Sequence, residues 1–427
     1  MMNKNVADLN RLKAAIKNVI LPAWKTVKRV FPPVDICRIN ISAHKRGNAI
    51  QKLKLISYSD YCKKSGGKIT VLEETQERIV YEPPYYPEQK GVEHRCISPP
   101  IYVVELDDVI VHGGSGMIIA NDHALNDLCA HDKEDRIDIV GGSVRRNTNE
   151  AVYLEVTKET EELDRAVNLC GIAADNYYHL TIEILSRYEY VKKYTGDERI
   201  PVLMDEAAGK YPQYKDLAKA VLGDAKVVYV PKYKRVRCKR VICPSMNSWF
   251  PLNVRHRSDF RISDNLIASS AIENIRKATE KLRRKSSEIK LFISRKKASL
   301  SRILNENEVE SLFEKNGYRV ICTENLTFRE QVALFSEASC IVGASGAAMT
   351  NLVYCNPGTV FGCIIPEKYN FCIYSTIAYF TNCKILFFDA KTVQRGNAIS
   401  TELWNVDVCE CQNYINFLDT CRISRGL

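Results

Sequence analysis

The sequence predicts an α/β fold with two Rossmann-like domains that face each other across a cleft, and a strand-rich N-terminal extension. The 427 residues exceed what one hydrophobic core usually serves, which favours two large domains. Two blocks, which begin near residues 165 and 266, alternate short strand-like runs with amphipathic helical runs. This alternation is typical of parallel strands joined by helical crossovers. We therefore divide the chain into segments 1–33, 34–265 and 266–427.

The composition is that of a globular protein without membrane-spanning helices. Apolar residues make up 45% and charged residues 26%, and no uncharged apolar run reaches the length of about 18 residues that a span needs. No secretory signal is predicted, so the sixteen scattered cysteines are expected to be buried thiols in a reducing compartment. None forms a C-x-x-C pair, which argues against a structural metal site. The net charge of +10 suits anionic partners.

The first segment is basic and amphipathic. Between Leu9 and Phe31, apolar residues recur at helical spacing with lysines among them. One interpretation is a helix packed on its own domain with its lysines in water, which is the commoner arrangement. The other is a helix lying in a membrane interface, with contact through residues 7–31. Pro32 and Pro33 are expected to end the segment.

Residues 34–150 are predicted to be rich in strands and irregular turns. The clearest signal is YVVELDDVIVHGGSGMIIAND, in which β-branched residues flank a Gly-rich turn. Beyond residue 165 the pattern predicts a helix over NYYHLTIEILSRYEYVKKY, a strand over PVLMDE, a helix over YKDLAKAVLG and a strand over KVVYV.

The second block begins with a polar, basic helix, DNLIASSAIENIRKATEKLRRK. After it the pattern predicts strand IKLFIS, helix ENEVESLFEKNG, strand YRVICT, helix FREQVALFSEAS and strand CIVGA. Capping signals predict that helices start at Asn305, with Glu308 three residues on, and at Thr327, with Glu330. Gly317 is expected to close the first of these helices.

A cluster of cations follows the predicted strand IKLFIS. Arg295, Lys296, Lys297 and Arg302 come directly after the strand and ahead of a helix. Guanidinium groups at this place give bidentate contacts to a diphosphate, and a helix N-terminus adds positive potential. The alternative is a solvated basic surface, which is our interpretation of KLRRK at 281–285. Because Arg295 immediately follows a buried strand, we assign it to a binding site.

Small residues follow the predicted strand CIVGA. The run Ser345-Gly346-Ala347-Ala348 leaves the backbone unshielded, and Thr350 and Asn351 open the next helix. Such a run lets a ligand touch the main chain, as in loops that cradle phosphates. It matches neither a G-x-G-x-x-G nor a Walker loop. The alternative is tight packing of a helix on a strand.

A third cluster lies on the predicted helix of the first block. His179, Glu183 and Arg187 are spaced at i, i+4 and i+8 and share one face. His179 is the natural general base, because its unperturbed pKa lies near neutrality, and Glu183 would orient its ring. The alternative is an exposed ladder of ion pairs along the helix.

Taken together, NYYHLTIEILSRY, ISRKKASLSRILNENEVE and VGASGAAMTNLVYCNPGTV resemble the glycosyltransferases of family 61, in that order along the chain. The resemblance extends more weakly from about residue 100 to about residue 395. It implies a two-Rossmann-domain transferase fold of the GT-B type, with inversion at the anomeric carbon and no metal. It also implies that 34–265 is the acceptor side and that 266–427 holds a nucleoside-diphosphate sugar.

Site residues carry over by position. His179 matches the family's histidine and Glu183 its frequent acidic partner, so the resemblance implies that these two are catalytic. The clusters and the resemblance together predict the following nucleotide-sugar-binding residues: Arg295, Lys296, Arg302, Asn305, Glu306, Ser345, Gly346, Ala347, Thr350 and Asn351. Two positions depart from the family. Many relatives have histidine where this chain has Ser345, and glutamate where it has Cys363, for which Glu367 is a weak substitute.

The predicted reaction is attack of an acceptor hydroxyl on the anomeric carbon as the diphosphate leaves. The sequence contains no D-x-D motif, so arginines and loop N–H groups are expected to stabilise the leaving group without metal or cofactor. The expected partners are the nucleotide sugar and a glycan or lipid-linked glycan of a surface polysaccharide, in the cytoplasm or at the inner membrane face. A non-catalytic carbohydrate- or nucleotide-binding protein is the alternative. Nucleic acid is not an expected partner, because the cations cluster at a strand end. A nucleotide-dependent methyltransferase would need a Gly-rich loop after the first strand of one domain, which the sequence does not show.

Overall fold

The structure is a computed structural model that describes residues 32–88, 90–130, 132–158, 160–196, 199–298, 302–366, 371–395 and 402–423. The predicted basic helix of the first segment lies outside the described residues, and so does the 7–31 stretch for which membrane contact was one of two interpretations. Glu367 also lies outside them.

Helices and strands alternate through most of the described chain. The α-helices are α1 Pro32–His44, α2 Tyr58–Ser65, α3 Asp127–Ala130, α4 Tyr188–Thr195, α5 Pro212–Leu222, α6 Ser269–Thr279, α7 Glu306–Lys315, α8 Phe328–Glu337, α9 Ile373–Thr381 and α10 Val408–Ile423. A π-helix covers His179–Ile184, and 3-10 helices cover Leu185–Arg187, Glu206–Gly209, Arg257–Asp259, Ile262–Asn265, Glu280–Leu282, Thr323–Asn325 and Ala347–Tyr354.

The part of the chain before residue 266 carries fifteen of the strands that the structure describes. They are β1 Ala49–Ile56, β2 Lys68–Glu73, β3 Gln76–Glu82, β4 Val92–Ser98, β5 Ile101–His112, β6 Met117–Ala120, β7 His123–Leu125, β8 Ile137–Asp138, β9 Val144–Asn147, β10 Ala151–Val156, β11 Thr160–Asn168, β12 Val202–Asp205, β13 Val227–Val230, β14 Arg235–Pro244 and β15 Asn253–Val254. The remaining strands are β16 Lys290–Ile293, β17 Arg319–Ile321, β18 Cys340–Ala344, β19 Val360–Pro366, β20 Lys384–Gln394 and β21 Leu403–Asn405.

One mixed sheet joins the strand-rich extension to the first α/β block. Its strand order is β13-β12-β11-β14-β5-β6-β7-β1-β10-β9, with β2 paired to β5. The first four strands are parallel and, in their own chain order, run 3-2-1-4, as in half of a Rossmann fold. β14 then pairs antiparallel with β5 over nearly its whole length. The extension therefore continues the same sheet.

The second sheet has the order β17-β16-β18-β19-β20-β21. Its first five strands are parallel, and in their own chain order they run 2-1-3-4-5, the order of flavodoxin-like doubly wound sheets. The order reverses between β16 and β18, and ligands of such sheets bind at the carboxyl ends of the strands at that point. The predicted α/β class is confirmed, and the strand order places the two predicted binding loops side by side.

The two sheets share a core. The largest cluster of buried apolar side chains includes Leu180 and Ile184 from the first block and Ile341 and Met349 from the second. The β3–β4 hairpin also contacts the second block, since Tyr81 N–H of β3 donates to Thr376 Oγ1 of α9 at 3.1 Å. The β3–β4 hairpin, which belongs to the predicted segment 34–265, thus packs on the segment 266–427. The segment boundaries stay a prediction.

Local sequence signals explain the helix ends. Thr327 and Glu330 form the predicted capping box, because each side chain accepts a hydrogen bond from the other residue's backbone N–H. The predicted cap at Asn305 is wrong, since its side chain bonds instead to the N–H and C=O of Val406. Gly317 has a φ of +78° just past α7, the left-handed position that glycine takes without strain. Pro32, expected to end a helix, begins α1, where a missing N–H costs nothing.

In the part of the chain that the structure describes, no helix is both long and apolar enough to cross a bilayer. Most of the cysteines whose side chains are described are buried, as expected.

We predict that Thr327→Ala lowers the free energy of unfolding by about 1 kcal/mol, because the N–H of Glu330 loses its acceptor at the start of α8. Urea denaturation measures the change. Thr327→Ser is the matched control, since it keeps the hydroxyl oxygen and should stay close to the parent. Equal destabilisation by Ala and Ser would contradict the capping explanation.

Candidate active site

The helix that carries the predicted base is wound differently from the prediction. Residues His179–Ile184 form a π-helix, in which Leu185 N–H bonds to Leu180 C=O, and a 3-10 turn follows before α4. π-helical turns occur frequently at functional sites. His179, Glu183 and Arg187 are all buried, with 6%, 8% and 7% of their surface exposed. The alternative of an exposed ion-pair ladder is therefore wrong.

His179 and Glu183 form a hydrogen-bonded pair. The Nδ1 of His179 lies 2.6 Å from Oε2 of Glu183. The other carboxylate oxygen accepts from Ser248 Oγ at 3.4 Å, and this hydroxyl also lies 3.1 Å from the Tyr178 hydroxyl. A carboxylate held on both oxygens keeps the imidazole in the tautomer with its proton on Nδ1. The lone pair of Nε2 is then available to accept a proton.

A cavity of about 60 Å³ lies beside this pair. The side chains of His179, Glu183 and Arg187 line it, together with Asp127 and Phe250. Arg187 donates from Nη1 to the C=O of Pro244 at 3.3 Å, while its buried Nε has no hydrogen-bond partner among the described residues. The polar side chains predicted for one face of this helix thus line a single cavity, and the Nε–H group of Arg187 has no acceptor among the described residues.

Asp205 is a residue of this region that the sequence analysis missed. It ends β12, is fully buried, and accepts hydrogen bonds from the N–H groups of Gly114 and Gly171, the latter at 2.8 Å. Gly171 and Gly116 line the cavity beside His179. Burial raises the pKa of Asp205 to about 6, against the two hydrogen bonds, which lower it. The signal was present, since Asp205 is one of the two acidic residues at the end of the predicted strand PVLMDE.

The cations of the second block lie at the switch point of the second sheet. Arg295 follows β16, and its N–H donates to Oε1 of Glu306 at 2.6 Å. Arg302 donates from Nη1 to the C=O of Ser345 at 2.7 Å, and its buried Nε has no partner in the described structure. Burial, and then the charge of Arg295, lower the pKa of Arg302 to about 10. Burial lowers the pKa of Arg295 as well. Arg295 and Arg302 are therefore neighbouring cations that are both largely removed from water.

Gly346 makes room for this pair. A Cβ at position 346 would lie 1.8 Å from Nη1 of Arg295. The C=O of Gly346 accepts a hydrogen bond from the Tyr374 hydroxyl at 2.7 Å. The guanidinium group of Arg295 thus explains why residue 346 has no side chain. The alternative, tight packing of a helix on a strand, does not explain it.

The other predicted binding residues differ in their surroundings. Lys296 is exposed and pairs with Glu310, and Asn305 and Glu306 make the structural bonds given above. Asn351 is buried and bonds to Gln331, Ala348 and Tyr177, so its amide is already used inside the protein.

Four further positions remain, of which Ser345 and Cys363 lie close to Arg302. Thr350 is buried, and its hydroxyl lacks a partner among the described residues. Ser345 is buried, whereas Ala347 is half-buried. Cys363 is fully buried in β19. Burial raises the pKa of its thiol, while the positive charge of Arg302 opposes the rise.

Aromatic side chains join the two sides. The ring of Phe250 lies 6.3 Å from that of His179 and 5.7 Å from that of Phe371, measured between centroids. Phe371 in turn lies 5.2 Å from Tyr374, which bonds to Gly346. The cavity beside His179 does not itself include Arg295 in its lining. Over the described residues, no group of three or more His, Cys, Asp or Glu side chains is placed to hold a metal ion.

Comparison with known proteins gives one family. Residues 177–362 match the family model described as Glycosyltransferase 61, which covers all three clusters. No curated protein matches the chain in sequence. Among solved structures, a mutant of a flavo di-iron protein from Thermotoga maritima is 9% identical, with 81% of this chain and 100% of that chain covered. Its TM-score of 0.23 is too low to indicate a shared fold.

We predict that the contribution of Asp205 to the free energy of unfolding falls as pH rises from about 4 to about 6. Its folded pKa of about 6 exceeds the unfolded value of about 3.9, so the contribution is present below pH 4 and lost as pH passes the folded pKa. Urea denaturation across this range should show a smaller loss for Asp205→Asn. Asp216→Asn, at an exposed position of α5, is the control. An identical pH dependence in parent and Asp205→Asn would contradict the assignment.

Proposed function

Residues 177–362 place this chain in glycosyltransferase family 61, and on that premise we propose that it moves a sugar from a nucleoside-diphosphate sugar to a glycan acceptor with inversion. The observation that carries the proposal is the pair Arg295 and Arg302 at the switch point of the second sheet. Like charges brought together out of water repel each other, and a diphosphate between them relieves that cost. Such a group also accepts the bidentate hydrogen bonds that guanidinium groups make.

The proposed arrangement is of the GT-B type, with the donor on the second block and the acceptor on the first. Support comes from the two strand orders, 3-2-1-4 and 2-1-3-4-5, and from the aromatic side chains that connect His179 to Gly346. Strand ends at a switch point are where open α/β sheets bind nucleotides. The acceptor would then approach from the side of the His179 cavity.

In the proposed reaction, His179 is the general base. Nε2 takes the proton of the acceptor hydroxyl, whose oxygen attacks the anomeric carbon while the bond to the diphosphate breaks on the opposite face. Glu183 stabilises the imidazolium that forms, through its hydrogen bond to Nδ1. Inversion follows from a single displacement, because the nucleophile enters opposite the leaving group.

Arg295 and Arg302 would stabilise the charge that develops on the departing diphosphate. Their side chains are fixed before the reaction, by the packing of Arg295 on Gly346 and by the bond from Arg302 to Ser345, so little reorganisation is needed. We propose that the reaction needs no metal or cofactor for this reason. Lys296 lies at the exposed rim and would contribute long-range attraction.

The proposed setting is synthesis of a surface polysaccharide or lipopolysaccharide in the cytoplasm, with peripheral membrane contact through residues 7–31. The net charge of +10 favours an anionic donor and an anionic membrane surface. The alternative, a carbohydrate- or nucleotide-binding protein without activity, gives no reason for a buried His179–Glu183 pair beside a cavity.

We predict that Arg295→Ala weakens binding of nucleoside diphosphates by about tenfold or more, because one of the two guanidinium groups is removed. Isothermal titration calorimetry with UDP, GDP and CDP measures the affinity. Arg284→Ala is the matched control, since Arg284 belongs to the KLRRK run and is mostly exposed. Unchanged diphosphate affinity in Arg295→Ala would remove Arg295 from the site.

We predict that His179→Ala retains diphosphate affinity but loses transfer by about 10²–10⁴-fold, the usual contribution of a general base. The rate of nucleotide release from a panel of nucleotide sugars, with mixed glycans as acceptors, measures this effect. His94→Ala is the control, because His94 lies on the β3–β4 hairpin and pairs with Glu82. Equal turnover in His179→Ala and parent would dismiss His179 as the base.

A further inference from the structure

A second and larger cavity adjoins the one beside His179. Its volume is about 420 Å³, within the range of small-molecule sites. Its lining consists of Ser59, Lys63, Ile69, Val71, Pro99, Pro100, Tyr102, Asp127, Ser245, Met246 and Trp249. Asp127 and Met246 line both cavities, so the two spaces share a wall.

Most of this second cavity is built outside the segment that matches the family. Most of its walls come from α2, β2, α3 and the turn that leads into β5, all of which precede residue 177, whereas Ser245, Met246 and Trp249 lie within the matched segment. Antiparallel pairing of β2 with β5, which includes Val71 opposite Tyr102, fixes these walls against each other. The cavity is therefore a feature of this chain's strand-rich extension placed next to the His179–Glu183 pair.

The polar groups of the cavity are few and fixed. Asp127 is 6% exposed, and its two oxygens accept hydrogen bonds from Tyr58 N–H at 2.9 Å and from the Tyr102 hydroxyl at 2.7 Å. A carboxylate offers about four acceptor positions, so a ligand hydroxyl can add to the interactions that Asp127 already makes. Ser245 stands nearby and accepts from Tyr102 N–H at 2.9 Å.

The remaining walls are apolar, and one is a flat aromatic ring. Trp249 is half-buried, and Pro99, Pro100 and Val71 face the same space. A pyranose ring has one face of C–H groups, which packs on an aromatic ring, and a rim of hydroxyl groups, which donate to a carboxylate. The cavity offers both surfaces, and this combination of an apolar lining with a few placed polar groups is typical of ligand sites.

Charge favours a neutral ligand. The acidic side chain in the lining is Asp127, and the cation, Lys63, is largely exposed and lies 3.6 Å from Asp60. An anionic ligand would be repelled by the buried carboxylate of Asp127. A neutral sugar hydroxyl meets no such cost.

We propose that this cavity binds the acceptor as a neutral pyranose ring, stacked on Trp249 and hydrogen-bonded to Asp127, next to His179. The inference rests on the proposed function and names the place and the class of its second substrate. For transfer, the acceptor would extend past Asp127 and Met246, which line both cavities, so that its hydroxyl enters the cavity beside His179. Trp249 and Asp127 are thus binding residues and take no part in the proton transfer.

The test uses saturation-transfer NMR on the full chain with methyl glycosides of glucose, galactose, mannose and N-acetylglucosamine. We expect at least one glycoside to bind, and Trp249→Ala to weaken it by about tenfold through loss of the stacking surface. Val71→Arg fills the cavity from a position that is 44% exposed, and should weaken binding without removing core packing. Tyr211→Ala, at an exposed aromatic residue outside both cavities, is the control.

Thermal melts first confirm that each variant is folded. Equal glycoside binding in the parent and in both cavity variants would overturn the proposal, and so would absence of binding by every glycoside. Binding of farnesyl phosphate in place of the glycosides, lost in Trp249→Ala, would also overturn it in favour of a lipid site. Titration of the same samples with nucleoside diphosphates distinguishes the pyranose site from the proposed transferase function. Absence of diphosphate binding would count against the transferase function alone.

Discussion

The contact between the guanidinium group of Arg295 and the bare backbone of Gly346 is the constraint around which the switch point is built. A second cation, Arg302, lies close enough for Arg295 to lower its pKa, and the carboxylates Glu306 and Glu324 near Arg295 and Glu402 near Arg302 oppose this effect only in part. The protein supplies carbonyl oxygen from Ser345 to Arg302. The strand order of the second sheet brings the two loops together, since β16 and β18 are neighbours with their carboxyl ends on one edge.

Local patterns predicted most of the second block but little of how the extension is assembled. Helical periodicity indicated α7 and α8, which each bury one face, and short apolar runs indicated β17 and β18. The capping box at Thr327 is a purely local signal. The pairing of β14 with β5 joins residues more than a hundred positions apart. Such pairing is decided by the assembled sheet and leaves no mark in either strand's own sequence.

The same division applies to the site. The spacing of His179 and Glu183 identified a pair that the structure joins at 2.6 Å, although the turn between them is π-helical. Asp205 was missed because its partners, Gly114 and Gly171, come from distant loops. Residue type shows what a side chain is able to do, whereas its partners depend on tertiary contacts that a single sequence does not reveal.

The aromatic side chains between the two clusters bear on how transfer would be kept ahead of hydrolysis. Water is a competing acceptor for any activated sugar, so a transferase must limit the water that reaches the anomeric carbon. Phe250 and Phe371 place apolar surface between His179 and Tyr374, where the sugar would pass from donor to acceptor. In the proposed function, the same surface would lower the local polarity and strengthen the attraction between Arg295 and a phosphate. Exclusion of water and stabilisation of the leaving group would then depend on one set of side chains.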